Sequence, residues 1–271
     1  MRQHRFFIGQ DLGSKLSKYA AAGGAPVVFE FDPEVGDSAA IINHQREILR
    51  QWKKVFRYEA GSEVILFDGK VEVVAKILEL SKKDEKARLV LGERKTPVYN
   101  SGSSSGSELN PNLNKSKIYL ALSILKGEHT DMVVEKATEL GVSGIILVQT
   151  DRVIKKGVNL ERLQKIAIEA TEQCGRVDVP EIYTSESLGD LLDSSAFGEK
   201  VVLDMGGEKL QTVSSESAGK KILLFIGPEG GWSDDEKNIF KNKGIVVASI
   251  GENVLRAETA AIVGVAILAI K

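Results

Sequence analysis

The fourteen residues Leu223-Leu224-Phe225-Ile226-Gly227-Pro228-Glu229-Gly230-Gly231-Trp232-Ser233-Asp234-Asp235-Glu236 constrain this chain more than any other stretch. The apolar run Leu223–Ile226 suits a short buried strand, and the Gly-Pro-Glu-Gly-Gly run ends it. Ser233 precedes Glu236 by the spacing of a capping box, in which the hydroxyl and the carboxylate each accept from the other residue's backbone N–H. The segment is therefore a strand, a glycine turn and a helix N-terminus. Glycine has no Cβ, so the backbone of such a turn can approach a ligand closely. A tight βα turn that binds nothing satisfies the same local pattern.

The flanking sequence supplies the architecture. From Lys115 onward apolar strands alternate with helical periodicity. Strands are expected over Ile118–Leu125, Gly144–Val148, Val201–Leu203, Ile222–Ile226 and Ile245–Ile250. Helices are expected over Asp131–Leu140, from Asn159 as cap to Cys174, over Asp234–Lys241 and over Ala257–Ile270. Val133, Ala137 and Leu140 form the inner stripe of the first helix, and Gly141 suits the left-handed residue that ends it. Leu163, Ile166, Ala167, Ala170 and Cys174 do the same for the second, which makes Cys174 a core residue. Such alternation predicts an α/β domain with a largely parallel sheet, whose ligands bind beyond the carboxyl ends of the strands. Gly227–Gly231 and Gly251–Arg256 both follow strand ends.

Residues 1–95 read differently. Short strands are expected at Arg5–Ile8, within Gly61–Gly69, over Lys70–Leu80 and over Ala87–Leu91, with Asp68-Gly69 as a hairpin signal. One helix, His44–Arg50, has Asn43 as its cap. This predicts a small β-barrel. Residues 96–114 include Asn100-Ser101-Gly102-Ser103-Ser104-Ser105-Gly106-Ser107, the composition of a flexible linker. The domains are therefore expected at 1–95 and 115–271, joined by 96–114.

Composition excludes several classes of chemistry. Among 271 residues there is one cysteine, Cys174, and there are three histidines, His4, His44 and His129, so neither an intramolecular disulfide nor a Cys/His metal cluster is expected. No run is long and apolar enough for a membrane helix, and Met1–Ile8 lacks the apolar core of a secretory signal. A cytoplasmic location is expected, or a chloroplast or mitochondrion if a transit segment preceded this numbering. Residues 1–95 carry 17 Lys and Arg against 14 Asp and Glu, and the rest carry 19 against 24. The positive half is a weak pointer to a polyanion, and ordinary surface gives the same count. There is no G-x-G-x-x-G opening a βαβ unit, no P-loop and no Ser-His-Asp arrangement.

Glu169, Gln173 and Arg176 share one side of their expected helix, opposite its apolar stripe, and a solvated face is the commoner reason for such a pattern. Glu258 falls in the first turn of the last helix, where an acid is favoured by the dipole. Arg256 stands just before that helix, against the dipole, which suits a cation meeting an anion or a carboxylate.

Taken together these stretches resemble the bacterial-type 16S ribosomal RNA uridine-N3 methyltransferase family of the SPOUT class. The similar segments are Arg5-Phe6-Phe7; His44 with Ile48-Leu49-Arg50; Glu135–Val142; Glu169-Ala170 with Glu172–Arg176 and Pro180; Ile226–Gly231; and Leu255-Arg256-Ala257-Glu258-Thr259-Ala260. The last two are the family's most specific motifs. The resemblance implies a PUA-like N-terminal β-barrel that grips RNA, with Arg5, His44 and Arg50 as contacts, and a C-terminal SPOUT α/β domain closed by a trefoil knot. It implies S-adenosyl-L-methionine as cofactor, bent against the loop after Leu203, Gly227–Gly231 and Ile250–Leu255. Its contacts there would be Leu203, Ile226, Gly227, Gly230, Gly231, Ile250, Gly251, Val254 and Leu255. It implies a homodimer acting on small-subunit ribosomal RNA, within the assembled subunit, with neither metal nor membrane. Methyl transfer to uridine N3 needs a proton removed and negative charge stabilised. Arg176 or Arg256 would serve the charge, and Glu229 or Glu258 the proton. Ribose 2′-O-methylation of RNA, or ribosome assembly without catalysis, are the alternatives. Asp204–Lys209 does not match the family's usual residues in that first loop.

Overall fold

The computed structural model describes residues 4–13, 27–36, 38–81, 86–95, 117–153, 157–185, 187–216 and 219–269. The expected linker over 96–114 lies outside them. The chain divides into two compact units: residues 1–105 with 171–179, and residues 106–170 with 180–271.

The first unit is built on one five-stranded sheet. Its strands are β1 (Arg5–Phe7), β2 (Val27–Phe31), β3 (Glu63–Phe67), β4 (Glu72–Leu80) and β5 (Ala87–Lys95), in the order β1-β3-β4-β5-β2. β1 runs parallel to β3, and the other neighbours are antiparallel. No pairing joins β1 to β2 among the described residues, so the strands form an open sheet rather than the closed barrel expected. The β3–β4 hairpin turns at Asp68, whose carboxylate accepts from the N–H groups of Lys70 and Val71, both at 2.9 Å.

Helix α1 (Ala39–Lys54) begins earlier than expected, because Ser38 rather than Asn43 caps it and accepts from Ile41 N at 3.3 Å. Ala40, His44, Gln45, Ile48, Leu49 and Trp52 are its buried stripe. Trp52 meets Phe6 edge-on at 5.4 Å and fills the middle of the core.

Residues 171–179 belong to this unit through Arg5. Its guanidinium donates to Glu72 and to the carbonyls of Thr171, Glu172 and Arg176, which occupies all five of its N–H groups. Glu172 Oε1 accepts from Phe7 N at 2.7 Å and lies 3.0 Å from Nε2 of the buried His44.

The second unit carries a six-stranded parallel sheet: β6 (Lys117–Ser123), β7 (Gly144–Val148), β8 (Glu181–Ser185), β9 (Glu199–Lys209), β10 (Lys221–Ile226) and β11 (Val246–Ser249), ordered β11-β9-β10-β6-β7-β8. The chain steps outward from β6 to β8, crosses to β9, and places β10 between β9 and β6. Between these strands run α2 (His129–Glu139), α3 (Leu160–Cys174), α4 (Leu188–Asp193), α5 (Leu210–Glu216), α6 (Asp234–Asn242) and α7 (Ala257–Ala269). Strand burial is nearly continuous in β7 and β10, as for a sheet covered on both faces. Leu191 and Leu192 of α4 and Phe240 of α6 pack with Val202, Leu223 and Phe225. On α7, Gly264 lets the helix sit close to the sheet: a Cβ there would lie 2.9 Å from Leu203 and 3.0 Å from Leu224. Among the described residues no helix is long and apolar enough to cross a membrane.

Local chemistry explains the helix ends. Asn159 Oδ1 accepts from Arg162 N at 3.0 Å, and Gly141 ends α2 at φ +94°. Leu140 is half-buried, and Val133, Val134 and Ala137 make the buried stripe of α2. Cys174 is also only half-buried, its thiol 3.8 Å from Thr171 O. Helix α3 stops at Cys174 because Gly175 takes φ +88°. The chain therefore leaves the helix before Arg176, which is buried, while Glu169 and Gln173 are exposed. The three do not share one helical face.

Candidate functional site

The capping box forms as its spacing predicts. Ser233 Oγ accepts from Glu236 N at 3.1 Å, and Glu236 Oε2 accepts from Ser233 N at 2.7 Å. The other oxygen of Glu236 accepts from Asp151 N at 3.0 Å, and Ser233 Oγ donates to Asp151 Oδ2 at 2.5 Å. The start of α6 is thereby tied to the end of β7. The turn before it is tied twice more. Arg152 donates to Gly230 O at 2.9 Å, and the buried Trp232 donates from its indole to Leu203 O at 3.0 Å. Gly227 lies flat on that indole: a Cβ would stand 3.0 Å from the ring. Gly231 has φ +67°.

β9 contributes a second feature. Val202 pairs with Val247, but the next pair is Glu208 with Ala248, so Leu203–Gly207 is looped out of the ladder. Gly207 is packed where a Cβ would fall 2.5 Å from Val247 O. β11 ends at Ser249, whose hydroxyl donates to Gly207 O at 3.0 Å, and Ile250–Arg256 follows.

The looped-out segment, the Gly227–Gly231 turn and the Ile250–Arg256 loop enclose one cavity of about 710 Å³. Leu203, Ile226, Gly227, Gly230, Gly231, Ile250, Gly251, Val254 and Leu255 all line it, and so do Glu229, Arg256 and Glu258. At Gly251 a Cβ would meet nothing within 4 Å, so its backbone faces open space. Glycine turns, apolar side chains and a few convergent charges are what a small-molecule site of this volume presents, ordinary sites spanning about 300–1,000 Å³.

The charges converge at one end. Glu258, in the first turn of α7, is 7% exposed. Its Oε1 lies 3.4 Å from His129 Nδ1 and 4.0 Å from Arg256 Nη1. The Arg256 side chain is 83% exposed. Glu229 is exposed, with Oε1 accepting from Lys126 N at 2.8 Å.

Sequence reasoning gave no place in the site to Lys126, His129 or Trp232, although all three line the cavity. The signal for the first two was positional. Lys126–His129 follows the central strand β6 on the same side of the sheet as the glycine turn.

The remaining expected residues belong to the first unit. Arg176 is buried, and its guanidinium lies 2.6 Å from Asp178. Arg5 and His44, expected to contact RNA, are used inside the unit by Glu72, Glu172 and three carbonyls. Arg50 is exposed on α1 beside Arg46 and Lys54, which line a surface groove with it.

Residues 112–269 match the model of an RNA methyltransferase domain. Ribosomal RNA small subunit methyltransferase E of Rickettsia conorii is 31% identical over 220 residues, covering 79% of this chain and 83% of that protein. The protein of the same name from Bacillus subtilis is 32% identical over 158 residues, covering 53% of this chain and 62% of its own length. A solved methyltransferase from Legionella pneumophila, in complex with bound SAM, is 26% identical with a TM-score of 0.73, covering 99% of this chain and 97% of that one.

Proposed function

The chain belongs to the ribosomal RNA small subunit methyltransferase E family of RNA methyltransferases, and from that premise we propose that it transfers a methyl group from S-adenosylmethionine to N3 of a uridine in small-subunit ribosomal RNA. One observation carries this. The three loops to which the resemblance assigns the cofactor enclose a single cavity, with the carboxylates of Asp204, Glu229 and Glu258 and the arginine Arg256 in its wall. The Legionella relative, solved with bound SAM, supports the same cofactor here.

The residues present fit that group. The backbone of Gly227–Gly231 and Ile250–Leu255 would hold the adenosine portion, and Leu203, Ile226 and Val254 would cover its apolar surface. When bound, S-adenosylmethionine supplies a methyl group on a positively charged sulfur, which leaves with its bonding electrons kept by the sulfur. The chain's own task is to make N3 nucleophilic, because a neutral imide nitrogen is a poor nucleophile. Glu258 is the better placed base, since Glu229 already accepts from Lys126 N. Arg256, exposed at the rim, stabilises negative charge on a uracil carbonyl oxygen. Arg176 is spent on Asp178, so we assign it no step.

The finer architecture follows the family. We assign the first unit to a PUA-like RNA-binding domain, with Arg50 and its basic neighbours on α1 as the phosphate-facing surface. The second unit is assigned the trefoil knot. Val254, 84% exposed, and Leu255, 38% exposed, give the cavity rim an apolar surface that supports a homodimer. The substrate would be RNA in the assembled small subunit, and the compartment the cytoplasm.

The test is transfer of label from tritiated S-adenosylmethionine to small subunits lacking the modification, followed by nucleoside analysis. Label in 3-methyluridine is expected. Label in a 2′-O-methyl nucleoside, or binding without label, would overturn the assignment.

A further inference from the structure

We propose that His129 is the proton outlet of the site, taking from Glu258 the proton that Glu258 removes from the substrate and passing it to solvent. The inference rests on the function proposed above. It is carried by the difference in exposure between the two side chains and by the burial of one His129 nitrogen. The Glu258 side chain is 10% exposed, so a proton it accepts has little direct contact with water. His129 Nδ1 lies 3.4 Å from Glu258 Oε1. That nitrogen is buried and has no hydrogen-bond partner among the described residues. Yet the His129 side chain as a whole is 40% exposed. One ring nitrogen therefore faces the buried carboxylate while the remainder of the ring reaches water.

The separation is somewhat longer than a formed hydrogen bond, as is common for catalytic contacts before substrate binds. Both residues line the same cavity, and they come from different elements, the first turn of α2 and the first turn of α7. Among the described residues, the carboxylate within 4.0 Å of that nitrogen is the proposed base, Glu258.

The proton balance is simple. The N3–H bond breaks and an O–H bond forms on Glu258, leaving the electron pair on N3. The Glu258 proton then moves to the lone pair of His129 Nδ1, which requires the neutral ring to carry its own proton on Nε2. The imidazolium releases the Nε2 proton to water. The return of the Nδ1 proton to Nε2, through water or ring exchange, resets the site.

His129→Ala and the milder His129→Gln test this, with folding checked by thermal unfolding. In either variant kcat for methyl transfer is expected to fall about tenfold or more, within the range of acid–base contributions. Calorimetric affinity for S-adenosylmethionine should stay close to wild type. Added imidazole should restore turnover of His129→Ala, because a free ring can enter the gap and carry the proton. Without any cofactor, Glu258→Gln should shift the ¹⁵N resonance of His129 Nδ1. An unchanged kcat, a loss that imidazole does not restore, an equal loss of cofactor affinity, or a resonance indifferent to Glu258→Gln would each overturn the proposal alone. A wild-type chain that transfers no methyl to N3 would overturn the function itself, and the proton outlet with it.

Discussion

Replacing Glu236 by alanine should damage the second unit far more than a single helix-cap change would suggest. The Glu236 side chain is buried, 3% exposed, and each oxygen has its own donor: Ser233 N at 2.7 Å and Asp151 N at 3.0 Å. Hydrogen bonds to a charged group contribute about 1.5–3 kcal/mol each. Ser233 is half-buried and Asp151 exposed, so water partly replaces the lost acceptor at both, and the low end applies to each. Loss of an acid from the first turn of α6 adds about 0.3–1 kcal/mol. The sum is about 3.5 kcal/mol, which for a unit of this size lowers Tm by about 7–14 °C.

The assay is specific to the unit because each unit contains one of the two tryptophans, Trp52 and Trp232. Trp52 has no indole hydrogen bond among the described residues, so Trp52→Phe removes no polar contact and leaves Trp232 fluorescence as the reporter. In that background Ser233→Ala should cost about 1 kcal/mol. Asp234→Ala, on an exposed side chain of the same turn, should lose only the dipole contribution of about 0.3–1 kcal/mol. If Glu236→Ala proves no worse than Asp234→Ala, the account of how the glycine turn is anchored is wrong.

Other outcomes follow from the same contacts. Gly227→Ala should weaken S-adenosylmethionine binding in calorimetry while costing about 1–3 kcal/mol of stability, because its Cβ would force the Trp232 ring out of place; unchanged affinity would remove that turn from the site. Arg5→Ala should destabilise the first unit by about 3 kcal/mol or more, since it strips a buried partner from Glu72 and three carbonyls. Arg50→Ala should leave stability within about 0.5 kcal/mol and lower the salt dependence of RNA binding by about one counterion. The reverse pattern would return the RNA contact to Arg5.

What the sequence made legible was whatever local chemistry decides. The capping box, the Asn159 cap, the Gly141 stop and the apolar runs of β7 and β10 depend on residues within one or two turns of each other. Elements that local pattern does not specify were missed. β8 exposes Glu181, Tyr183 and Thr184 at the sheet edge and shows no alternation. β2 is a short run, and α4 and α5 are helices of six and seven residues. The start of α1 was misplaced because Asn43 is also a good capping residue, and only the buried stripe from Ala40 shows that the helix has already begun.

The site divides in the same way. Its glycine loops are visible as punctuation, and the family motifs tie them together. His129 carries no local signal at all, because its significance depends on Glu258, brought beside it only by the packing of α2 against α7. The contacts of Arg5 and His44 with residues 171–179 are non-local in the same way. A basic residue at a strand start and a histidine on a helix give no local sign that Thr171, Glu172 and Arg176, more than a hundred residues away, engage them.

The most direct test of the central claim is a crystal structure of the chain grown with S-adenosylmethionine. The account predicts the cofactor between Gly227–Gly231 and Ile250–Leu255, contacted by backbone groups of both loops, with its methyl group toward the end of the cavity that holds Glu258 and Arg256. Cofactor bound elsewhere, or with its methyl group turned away from that end, would contradict it.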